Sequence, residues 1–407
     1  MKNIAIIGGG AAGFFAAITA KKQNKNNEVF IFERSKRVLA KVAITGGGRC
    51  NVTNSFNEIS SLTTAYPRGH KLLKRLFNIF DYTSCYQWFE EHGVKLITQE
   101  DNCVFPQSQD AQSIVQCLVN EAHKLGIKVI TDHWLENIEA QENGTICLHF
   151  KDKGKRCFDA VAITTGGSPR IEPLQYLAKC GHKIEQPVPS LFTFNINNNS
   201  LKSLMGTVIP NASLHIPGSK INSSGALLIT HWGISGPATL KLSSYAARIV
   251  KEQNYKIPIA INWANGFSIA EVETLLKDTI QSNPQKQISS IRFLDITNRV
   301  WTFLLSRADI DCQKKCNELS KKMINKLIET LTNDIYTTNG KGAFKEEFVT
   351  CGGVSLKSIH SNTLESKHIP NLYFAGEVLD IDAITGGFNL QAAWTTGYVV
   401  GLNIGKE

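Results

Sequence analysis

The chain has 407 residues, of which 42% are hydrophobic and 19% are charged. This composition supports a sizeable core and excludes a wholly disordered or collagen-like protein, and the length predicts two or three domains. The 44 Lys and Arg residues exceed the 35 Asp and Glu residues and give a net charge of +9. That charge favours anionic ligands such as dinucleotides, nucleic acid or acidic surfaces without selecting one of them.

The N-terminus carries a short apolar run at residues 4–7, which is too short for a signal peptide. No stretch approaches the roughly 18 apolar residues of a membrane-spanning helix. We therefore expect a soluble, cytoplasmic protein without a membrane partner. The ten cysteines contain no Cys-x-x-Cys pair and no zinc-type quartet, so we predict reduced thiols and no metal site.

The strongest local signal lies at the start of the chain. Residues 3–7 predict a buried strand, residues 8–13 a glycine turn, and residues 14–21 an apolar-faced helix. A second strand at 29–32 ends at Glu33, twenty residues beyond the last glycine of the turn. At this spacing a carboxylate accepts hydrogen bonds from the adenosine ribose of a dinucleotide.

Each glycine of this turn has a predicted role. Gly8 permits the sharp change of direction, Gly10 lets the backbone approach a pyrophosphate, and Gly13 lets the helix pack closely on the strand. Ala11 and Ala12 open the helix, whose N–H groups and positive dipole end attract phosphate. Because a carboxylate and not a basic residue follows the second strand, the motif predicts FAD or NAD(H) rather than NADP(H); the alternative is a glycine turn that only packs.

A second glycine-rich cluster follows at residues 41–54. Its glycines, hydroxyls and amides are typical of a loop whose backbone lies against a flat or phosphorylated ligand, with an arginine supplying charge. The candidate cofactor-binding residues here, together with the preceding basic residue, are Arg34, Lys41, Gly47, Gly48, Arg49 and Asn51.

A third cluster lies near the other end, where a predicted strand at 371–375 leads into a glycine-rich turn and a final helix. Extended FAD must be held at its adenosine, pyrophosphate, ribityl and isoalloxazine portions, which explains glycine-rich units at both ends of the chain better than a nicotinamide cofactor does. The sequence therefore predicts FAD. The candidate residues of this part, with two that follow a strand at 159–164, are Thr165, Gly166, Gly376, Glu377, Asp380, Gly386, Gly387, Phe388, Asn389 and Leu390.

Four motifs in this order resemble a family of bacterial FAD-dependent oxidoreductases that is named after an uncharacterised Haemophilus flavoprotein and includes bile-acid-pathway reductases. The resemblance spans nearly the entire chain and departs from the family pattern at Asn102 and Ala383. The motifs are Thr-Gly-Gly-Gly-Arg-Cys-Asn-Val-Thr-Asn at 45–54, Thr-His-Trp-Gly-Ile-Ser-Gly-Pro at 230–237, Gly-Gly-Val at 352–354, and the run at 376–391.

The resemblance implies an α/β fold, with a Rossmann-like FAD-binding domain of the glutathione-reductase type interrupted by an insert. The insert would contain a small β-barrel and a helical subdomain. The expected bounds are 1–190 and 351–407 for the FAD-binding domain, 191–264 and 334–350 for the barrel, and 265–333 for the helical subdomain. We also expect a β-rich layer beside the parallel sheet from runs at 128–131, 145–150 and 159–164, a return strand at 344–350, and helices at 269–280, 291–305 and 320–331.

The resemblance also implies roles for single residues. The turn and helix start at 386–390 would face the flavin near N1 and the C2 carbonyl, Asp380 would hold ribityl hydroxyls, and His231 would donate a proton to substrate. The alternative for His231 is a histidine that only bonds to backbone. Cys50 lacks a second nearby cysteine for disulfide exchange.

The predicted activity is a two-step oxidoreduction. NAD(P)H passes a hydride to flavin N5, and the flavin passes it to a small organic acceptor such as an activated carbon–carbon double bond. No second G-x-G-x-x-G unit is present, so NAD(P)H is expected to bind transiently, unless a protein partner supplies the electrons. The alternatives are a tRNA-modifying flavoprotein, consistent with a lysine-rich stretch at 314–326 but without an RNA-binding motif, and a non-catalytic FAD-bound scaffold.

Overall fold

The computed structural model of the protein describes residues 1–342 and 349–406. It contains two compact units: unit 1 comprises Met1–Pro189 and Val349–Glu407, and unit 2 comprises Ser190–Phe348. The chain therefore leaves unit 1 once and returns to it. Within the described ranges, no helix has both the length and the apolar character needed to cross a membrane.

The elements are labelled in chain order. The strands are β1 (Asn3–Ile7), β2 (Glu28–Phe32), β3 (Thr53–Asn54), β4 (Leu96–Thr98), β5 (Cys103–Pro106), β6 (Lys128–Ile130), β7 (Leu135–Ala140), β8 (Ile146–Phe150), β9 (Gly154–Phe158), β10 (Ala160–Ile163), β11 (Ile184–Ser190), β12 (Phe194–Asn195), β13 (Val208–His215), β14 (Asn222–Ile229), β15 (Gly233–Ser235), β16 (Pro258–Asn262), β17 (Asp334–Thr337), β18 (Val349–Val354) and β19 (Leu372–Phe374). The α-helices are α1 (Ala11–Gln23), α2 (Ala40–Gly48), α3 (Leu62–Ala65), α4 (His70–Leu76), α5 (Tyr82–Glu91), α6 (Gln112–Lys124), α7 (Gln175–Lys179), α8 (Asn199–Lys202), α9 (Pro237–Glu252), α10 (Ile269–Gln281), α11 (Asn298–Arg307), α12 (Lys321–Thr332) and α13 (Phe388–Ile404).

Unit 1 is organised by a five-stranded sheet in the order β19-β10-β1-β2-β6. Every neighbouring pair in this sheet is parallel. β10 and β19 are buried along their whole length, and β1 is buried from its second residue. Near-continuous apolar strands of this kind are characteristic of a parallel sheet that is covered on both faces.

Two of the runs expected in a separate β-layer belong to this parallel sheet instead. β6 pairs with β2, and β10 pairs with β1 and β19. Only the run at 145–150, which forms β8, lies in a separate antiparallel sheet, in the order β7-β8-β9. A short apolar strand has the same sequence pattern in either kind of sheet, because its partners are decided by the connections around it and not by its own residues.

The predicted loop at 41–54 also contains regular structure. α2 covers its first part, and its glycine end is non-helical, since Thr45, Gly46 and Gly47 leave the helical conformation. β3 closes the segment and pairs with β5. The glycines therefore interrupt the helix, as left-handed residues do, and they redirect the chain into a small three-stranded sheet in the order β3-β5-β4.

Unit 2 contains a six-stranded antiparallel sheet in the order β12-β15-β14-β13-β16-β17. α10 begins at a capping box formed by Ser268 and Glu271, and α12 begins after Ser320, close to the predicted starts. The predicted helix at 291–305 was wrong in its first half, because α11 begins only at Asn298. Leu294 has a left-handed φ of 50°, which a continuous right-handed helix does not contain.

The expected subdivision of unit 2 into a closed barrel and a helical subdomain stays a prediction. The predicted return strand at 344–350 falls mostly outside the described residues, and its last two residues begin β18. β18 pairs with β11.

The expectation of ten reduced thiols was wrong for one pair. Cys147 in β8 and Cys157 in β9 face each other in the antiparallel ladder and form a disulfide. The other eight cysteines are thiols. Spacing alone does not reveal such a pair, because it arises from the register of a hairpin and not from a cysteine motif.

Candidate functional site

Predicted site residues from four strands meet at one edge of the parallel sheet. Ile7, Phe32 and Ile163 stand level in the register, and Phe374 pairs with Ile163. The turns that follow these four strands carry Gly8, Glu33, Thr165 and Gly376. The carboxyl edge of a parallel sheet is where doubly wound folds bind nucleotides.

The first turn shows why two of its glycines are required by packing. A Cβ on Gly8 would lie 2.4 Å from the carbonyl oxygen of Thr164, and a Cβ on Gly13 would lie 2.0 Å from the carbonyl oxygen of Gly8. Thr164 adds hydrogen bonds from its Oγ1 to the carbonyls of Ile7 and Gly8. β1, β10 and the start of α1 are therefore in backbone contact.

Gly10 differs from these two residues. No described heavy atom lies within 4 Å of the position that its Cβ would occupy, and its φ of −98° is accessible to any residue. Gly10 is the N-cap of α1, where the N–H groups of the first turn, including those of Ala11 and Ala12, have no partner inside the helix. The turn thus leaves open space in front of a helix N-terminus, which suits an anionic group.

Glu33 is fixed beside this turn. Its Oε2 accepts a hydrogen bond of 2.8 Å from the Gly9 N–H, and its Oε1 accepts bonds from the N–H and the hydroxyl of Ser35. A carboxylate offers about four acceptor positions, so these three bonds leave capacity for about one ribose hydroxyl. Gly9 and Ser35 were not among the predicted residues.

The second glycine-rich cluster anchors the start of α13. The Asn54 amide donates to the Gly386 carbonyl at 3.1 Å, and the Asn51 amide oxygen accepts from the Gly387 N–H at 3.2 Å. A Cβ on Gly387 would lie 2.4 Å from the carbonyl oxygen of Thr53, and its φ is 89°. Residues more than 300 positions apart therefore form one structure at this helix N-terminus.

The N-terminal residues of α13 are held by further bonds. The amide of Asn389 forms two hydrogen bonds with the backbone of Ala383, at 2.9 and 3.0 Å, so this departure from the family pattern lies in the turn itself. The buried Tyr66 hydroxyl donates to the Phe388 carbonyl. Phe388 is buried and Leu390 is half-buried, and the N–H groups of the first helical turn have no partner within the helix.

α1 and α13 pack against each other through small residues. Cβ atoms on Gly397, Gly401 and Gly405 would meet the backbone atoms of Ala12, Ala16 and Ala20 at 2.4, 2.7 and 2.7 Å. Since the residue numbers of the glycines and of the alanines that they contact increase in the same order, the two helices run in the same direction. α13 starts nine residues before Gly397, and α1 starts one residue before Ala12. The N-terminus of α13 therefore lies eight residues, or about 12 Å, beyond that of α1 along this direction.

Glu377 is held by the chain itself. Its Oε1 accepts from the Thr350 N–H at 2.8 Å, and its Oε2 accepts from the Gly167 N–H and lies 3.2 Å from the Lys41 ammonium. These contacts join four segments around the sheet edge. The predicted cofactor contacts of Glu377 and Lys41 stay predictions.

The remaining predicted residues are more exposed. The Arg34 guanidinium lies 5.6 Å from the centre of the Trp134 ring, and that of Arg49 lies 4.3 Å from the Phe105 ring. Thr165 is exposed, and Asp380 is half-buried next to Val354, whose carbonyl accepts from the Asp380 N–H. The last three, Gly47, Gly48 and Gly166, have left-handed φ values and no described heavy atom within 4 Å of their Cβ positions.

Arg68 and Asp382 form an ion pair that the sequence did not reveal. Asp382 is 0% exposed, and the two residues form an antiparallel bridge between the segment before α4 and the turn before α13. A buried pair whose partners are distant in sequence produces no local motif.

His231 belongs to unit 2. It is exposed between β14 and β15, and its ring lies 4.3 Å from the Trp232 ring. Its role as proton donor stays a prediction.

Cys50 does not have the environment of a reactive thiol. It is 0% exposed, and burial raises its pKa to about 12. Burial also raises the pKa of Cys103 to about 11. Both groups are protonated near neutral pH and are poor nucleophiles.

A parallel sheet with a glycine turn, a helix N-terminus and a strand-end carboxylate at its carboxyl edge defines a Rossmann-type dinucleotide-binding protein. The sequence matches the HI0933-like protein Rossmann domain over residues 2–403, and the chain belongs to this family. The family and the α/β fold class predicted from the sequence are thereby confirmed.

Two curated relatives match over nearly the whole chain. The ribosomal RNA dihydrouridine synthase of Haemophilus influenzae is 28% identical, with 99% of this chain and 98% of the relative covered. The 3-dehydro-bile acid delta(4,6)-reductase of Clostridium scindens is 26% identical, with 98% of each covered.

Among solved structures, the 3-ketosteroid-delta4-(5alpha)-dehydrogenase of Rhodococcus jostii superposes with a TM-score of 0.53. It shares 13% identity, and the match covers 100% of this chain and 97% of that one. At this identity the likeness concerns the fold alone.

Proposed function

We propose that the protein is a FAD-dependent reductase that adds hydride to a carbon–carbon double bond conjugated to a carbonyl group. The observation that carries the proposal is the pair of parallel helix N-termini at one sheet edge, offset by about 12 Å and accompanied by Glu33. This arrangement suits an extended ligand with one anionic group at the start of α1 and a second electron-rich group at the start of α13.

The residues present fit FAD. Glu33 would bind the adenosine ribose, the open space at Gly10 would take the pyrophosphate against the N–H groups of α1, and the start of α13 would face the isoalloxazine. Bound FAD would supply hydride transfer. The N–H groups of Phe388, Asn389 and Leu390 would stabilise negative charge that develops near them, and their fixed positions would require no reorganisation.

The substrate class is inferred from the two relatives. Dihydrouridine differs from uridine by saturation of a double bond conjugated to a carbonyl, and a 3-dehydro bile acid with delta(4,6) unsaturation presents the same chemistry. We extend this class to the present chain. NAD(P)H is the proposed electron donor, and it would bind transiently because the sequence contains one glycine turn of the dinucleotide type.

His231 is our candidate for the proton donor. An imidazolium can donate a proton to the carbon next to the one that receives hydride. Its exposed position would give it access to substrate. His231→Ala should slow substrate-dependent reoxidation of the reduced protein while leaving FAD content unchanged, and normal reoxidation would remove this role.

A second candidate substrate is a uracil base within ribosomal RNA. One curated relative carries that activity in its name, and this chain has a net charge of +9 with exposed Lys315, Lys321 and Lys322 in unit 2. Binding that depends only on phosphate contacts weakens steeply as salt rises. Specific recognition of RNA should therefore survive at physiological salt, whereas nonspecific attraction should not.

The experiment is an anaerobic titration of the FAD-loaded protein. NADH or NADPH should bleach the flavin absorbance, and either a cyclic enone or a uridine-containing ribosomal RNA fragment should restore it. Recovery with the enone alone supports the small-molecule reductase, and recovery with RNA alone supports the second candidate. A flavin that no nicotinamide reduces contradicts the proposed use of NAD(P)H and favours an FAD-bound scaffold or a protein electron donor.

A further inference from the structure

The disulfide in unit 1 joins a buried residue to an accessible one. Cys147 is 1% exposed, whereas Cys157 is exposed. They stand directly opposite each other, and β9 is an edge strand of the β7-β8-β9 sheet. Cys157 is therefore the member of the pair that is open to solvent in the folded sheet.

The other face of β9 supports the strand that leads to Glu33. Side chains alternate along a strand, so Arg156 and Phe158, on either side of Cys157, point to the opposite face. The Arg156 guanidinium lies 5.1 Å from the centre of the Phe32 ring, and the Phe158 ring lies 5.6 Å from it. Phe32 is the residue before Glu33.

β8 and the segment after β6 complete this support. The Phe150 ring centre lies 4.7 Å from that of Phe32, and the His133 ring centre lies 5.5 Å from it. The His133 N–H donates to the Glu33 carbonyl, and the Glu33 N–H donates to the Ile130 carbonyl, both at 2.9 Å. The two strands that the disulfide joins thus hold the aromatic cluster beneath Glu33.

We propose that Cys147 and Cys157 form a reversible thiol–disulfide site whose oxidation tightens the hold of Glu33 on the adenosine ribose of FAD. The effect on FAD rests on the proposed function, whereas the redox site does not. The disulfide fixes β9 to β8 and so restricts the motion of Arg156 and Phe158 against Phe32. In a cytoplasm, disulfides are usually transient, catalytic or redox-sensing, which suits a site that cycles.

The co-reactant is a dithiol reductant. Its thiolate attacks Sγ of Cys157 to form a mixed disulfide, and the Cys147 thiolate leaves and takes up a proton. The second thiol of the reductant then attacks the reductant sulfur of the mixed disulfide and releases Cys157 as a thiol. Two electrons and two protons enter the protein, and the dithiol leaves as a disulfide; a disulfide oxidant reverses the reaction.

The redox site is tested by alkylation and mass spectrometry of the full-length protein purified without reductant. We expect linked peptides containing Cys147 and Cys157, with eight cysteines alkylated after denaturation, and ten alkylated cysteines when dithiothreitol has first been applied to the native protein. Ten alkylated cysteines after incubation of the native protein with glutathione disulfide would overturn the proposal.

The coupling to Glu33 is tested by amide hydrogen exchange, which needs no cofactor. We expect exchange at Glu33 and His133 to slow by about fivefold on oxidation, and the FAD Kd to fall by a similar factor. The double variant Cys147→Ser/Cys157→Ser should show the exchange rates and the FAD Kd of the reduced protein. Neither dithiothreitol nor glutathione disulfide should change these values. Equal exchange and equal Kd in both redox states would overturn the coupling. Redox-dependent exchange in a protein that binds no FAD in either state would contradict the proposed function and leave the redox site standing.

Discussion

The hydroxyl of Thr53 donates a hydrogen bond of 2.6 Å to Oε1 of Gln391, although the two residues are 338 positions apart. Both side chains are 0% exposed. Gln391 lies in the first turns of α13, and its amide nitrogen donates to Thr395 at 3.0 Å. The bond therefore ties the second glycine-rich cluster to the helix N-terminus at the end of the candidate site.

Removal of this hydroxyl tests how firmly α13 is anchored. Thr53→Val leaves the buried amide oxygen of Gln391 without its donor and should lower the free energy of unfolding by about 1–3 kcal/mol. Thr53→Ser keeps the hydroxyl and is the matched control, with a smaller loss from the deleted methyl group. Urea unfolding measures both, and equal stability of the Val variant and the wild type would contradict the anchoring role.

Alanine substitutions at Gly10 and Gly13 should distinguish a glycine that is needed for packing from one that leaves space for the ligand. Gly13→Ala places a methyl group 2.0 Å from the Gly8 carbonyl oxygen and should destabilise the protein by about 1–3 kcal/mol or more. Gly10→Ala meets no described atom within 4 Å, so its apo stability should change by less than about 0.5 kcal/mol. Its methyl group occupies the predicted pyrophosphate space, and its FAD Kd should rise at least about tenfold.

Thermal unfolding of the apo proteins and FAD titration distinguish these effects. An apo Gly10→Ala protein that is as stable as the wild type and binds FAD equally well would mean that the space at Gly10 is not used by the cofactor.

Glu33 is expected to contribute through its carboxylate. Glu33→Ala should raise the FAD Kd by about 10- to 100-fold, since hydrogen bonds to a charged group contribute about 1.5–3 kcal/mol. Ser35→Ala removes the local hydroxyl contacts to Oε1 of Glu33 and to the Arg37 carbonyl and should change the Kd by less than about twofold. Fluorescence titration of FAD provides the comparison, and equal losses in the two variants would point to a distorted loop instead of a lost ribose contact.

We predict that the buried His182 makes the free energy of unfolding depend on pH. Its ring nitrogens contact the Leu177 carbonyl at 3.1 Å and the Ser366 hydroxyl at 2.8 Å, an arrangement that suits the neutral ring with one donor and one acceptor. Burial lowers its pKa below the ordinary 6.5. The unfolded chain binds the proton more readily than the folded chain does. The contribution of the neutral His182 ring to the free energy of unfolding is therefore fully present above pH 6.5, and it is lost as the pH falls towards the lower folded pKa.

We therefore expect urea unfolding to give a smaller free energy at about pH 5.5 than at about pH 7.5. His182→Gln should flatten this difference, because it keeps polar groups without a titration in this range. A wild-type profile that is identical to that of the variant would show that His182 does not titrate on unfolding.

The first site was predictable because its signals are local. Gly8, Gly10, Gly13 and Glu33 stand at fixed spacings within one strand-turn-helix-strand unit, and each spacing follows from the geometry of that unit. The structure places the four together at one sheet edge. The same holds for the starts of α10 and α12, which lie within one residue of the predicted starts at 269 and 320.

The partners of the site were less accessible to sequence reasoning. Tyr66 bonds to the Phe388 carbonyl, and Arg68 pairs with Asp382, across more than 300 residues in each case. No spacing rule connects such residues, because their proximity depends on how the whole unit folds. Thr53 lay within a recognised motif, yet its partner Gln391 could not be assigned without the fold.

FAD binding by the folded chain is the property on which the proposed function depends most directly. The decisive measurement is a titration of the folded apo protein with FAD, followed by absorption and calorimetry, and it reports both stoichiometry and affinity. We predict saturation at one FAD per chain and a yellow protein that keeps its cofactor through gel filtration. A folded, colourless protein that does not bind added FAD would contradict the proposed function.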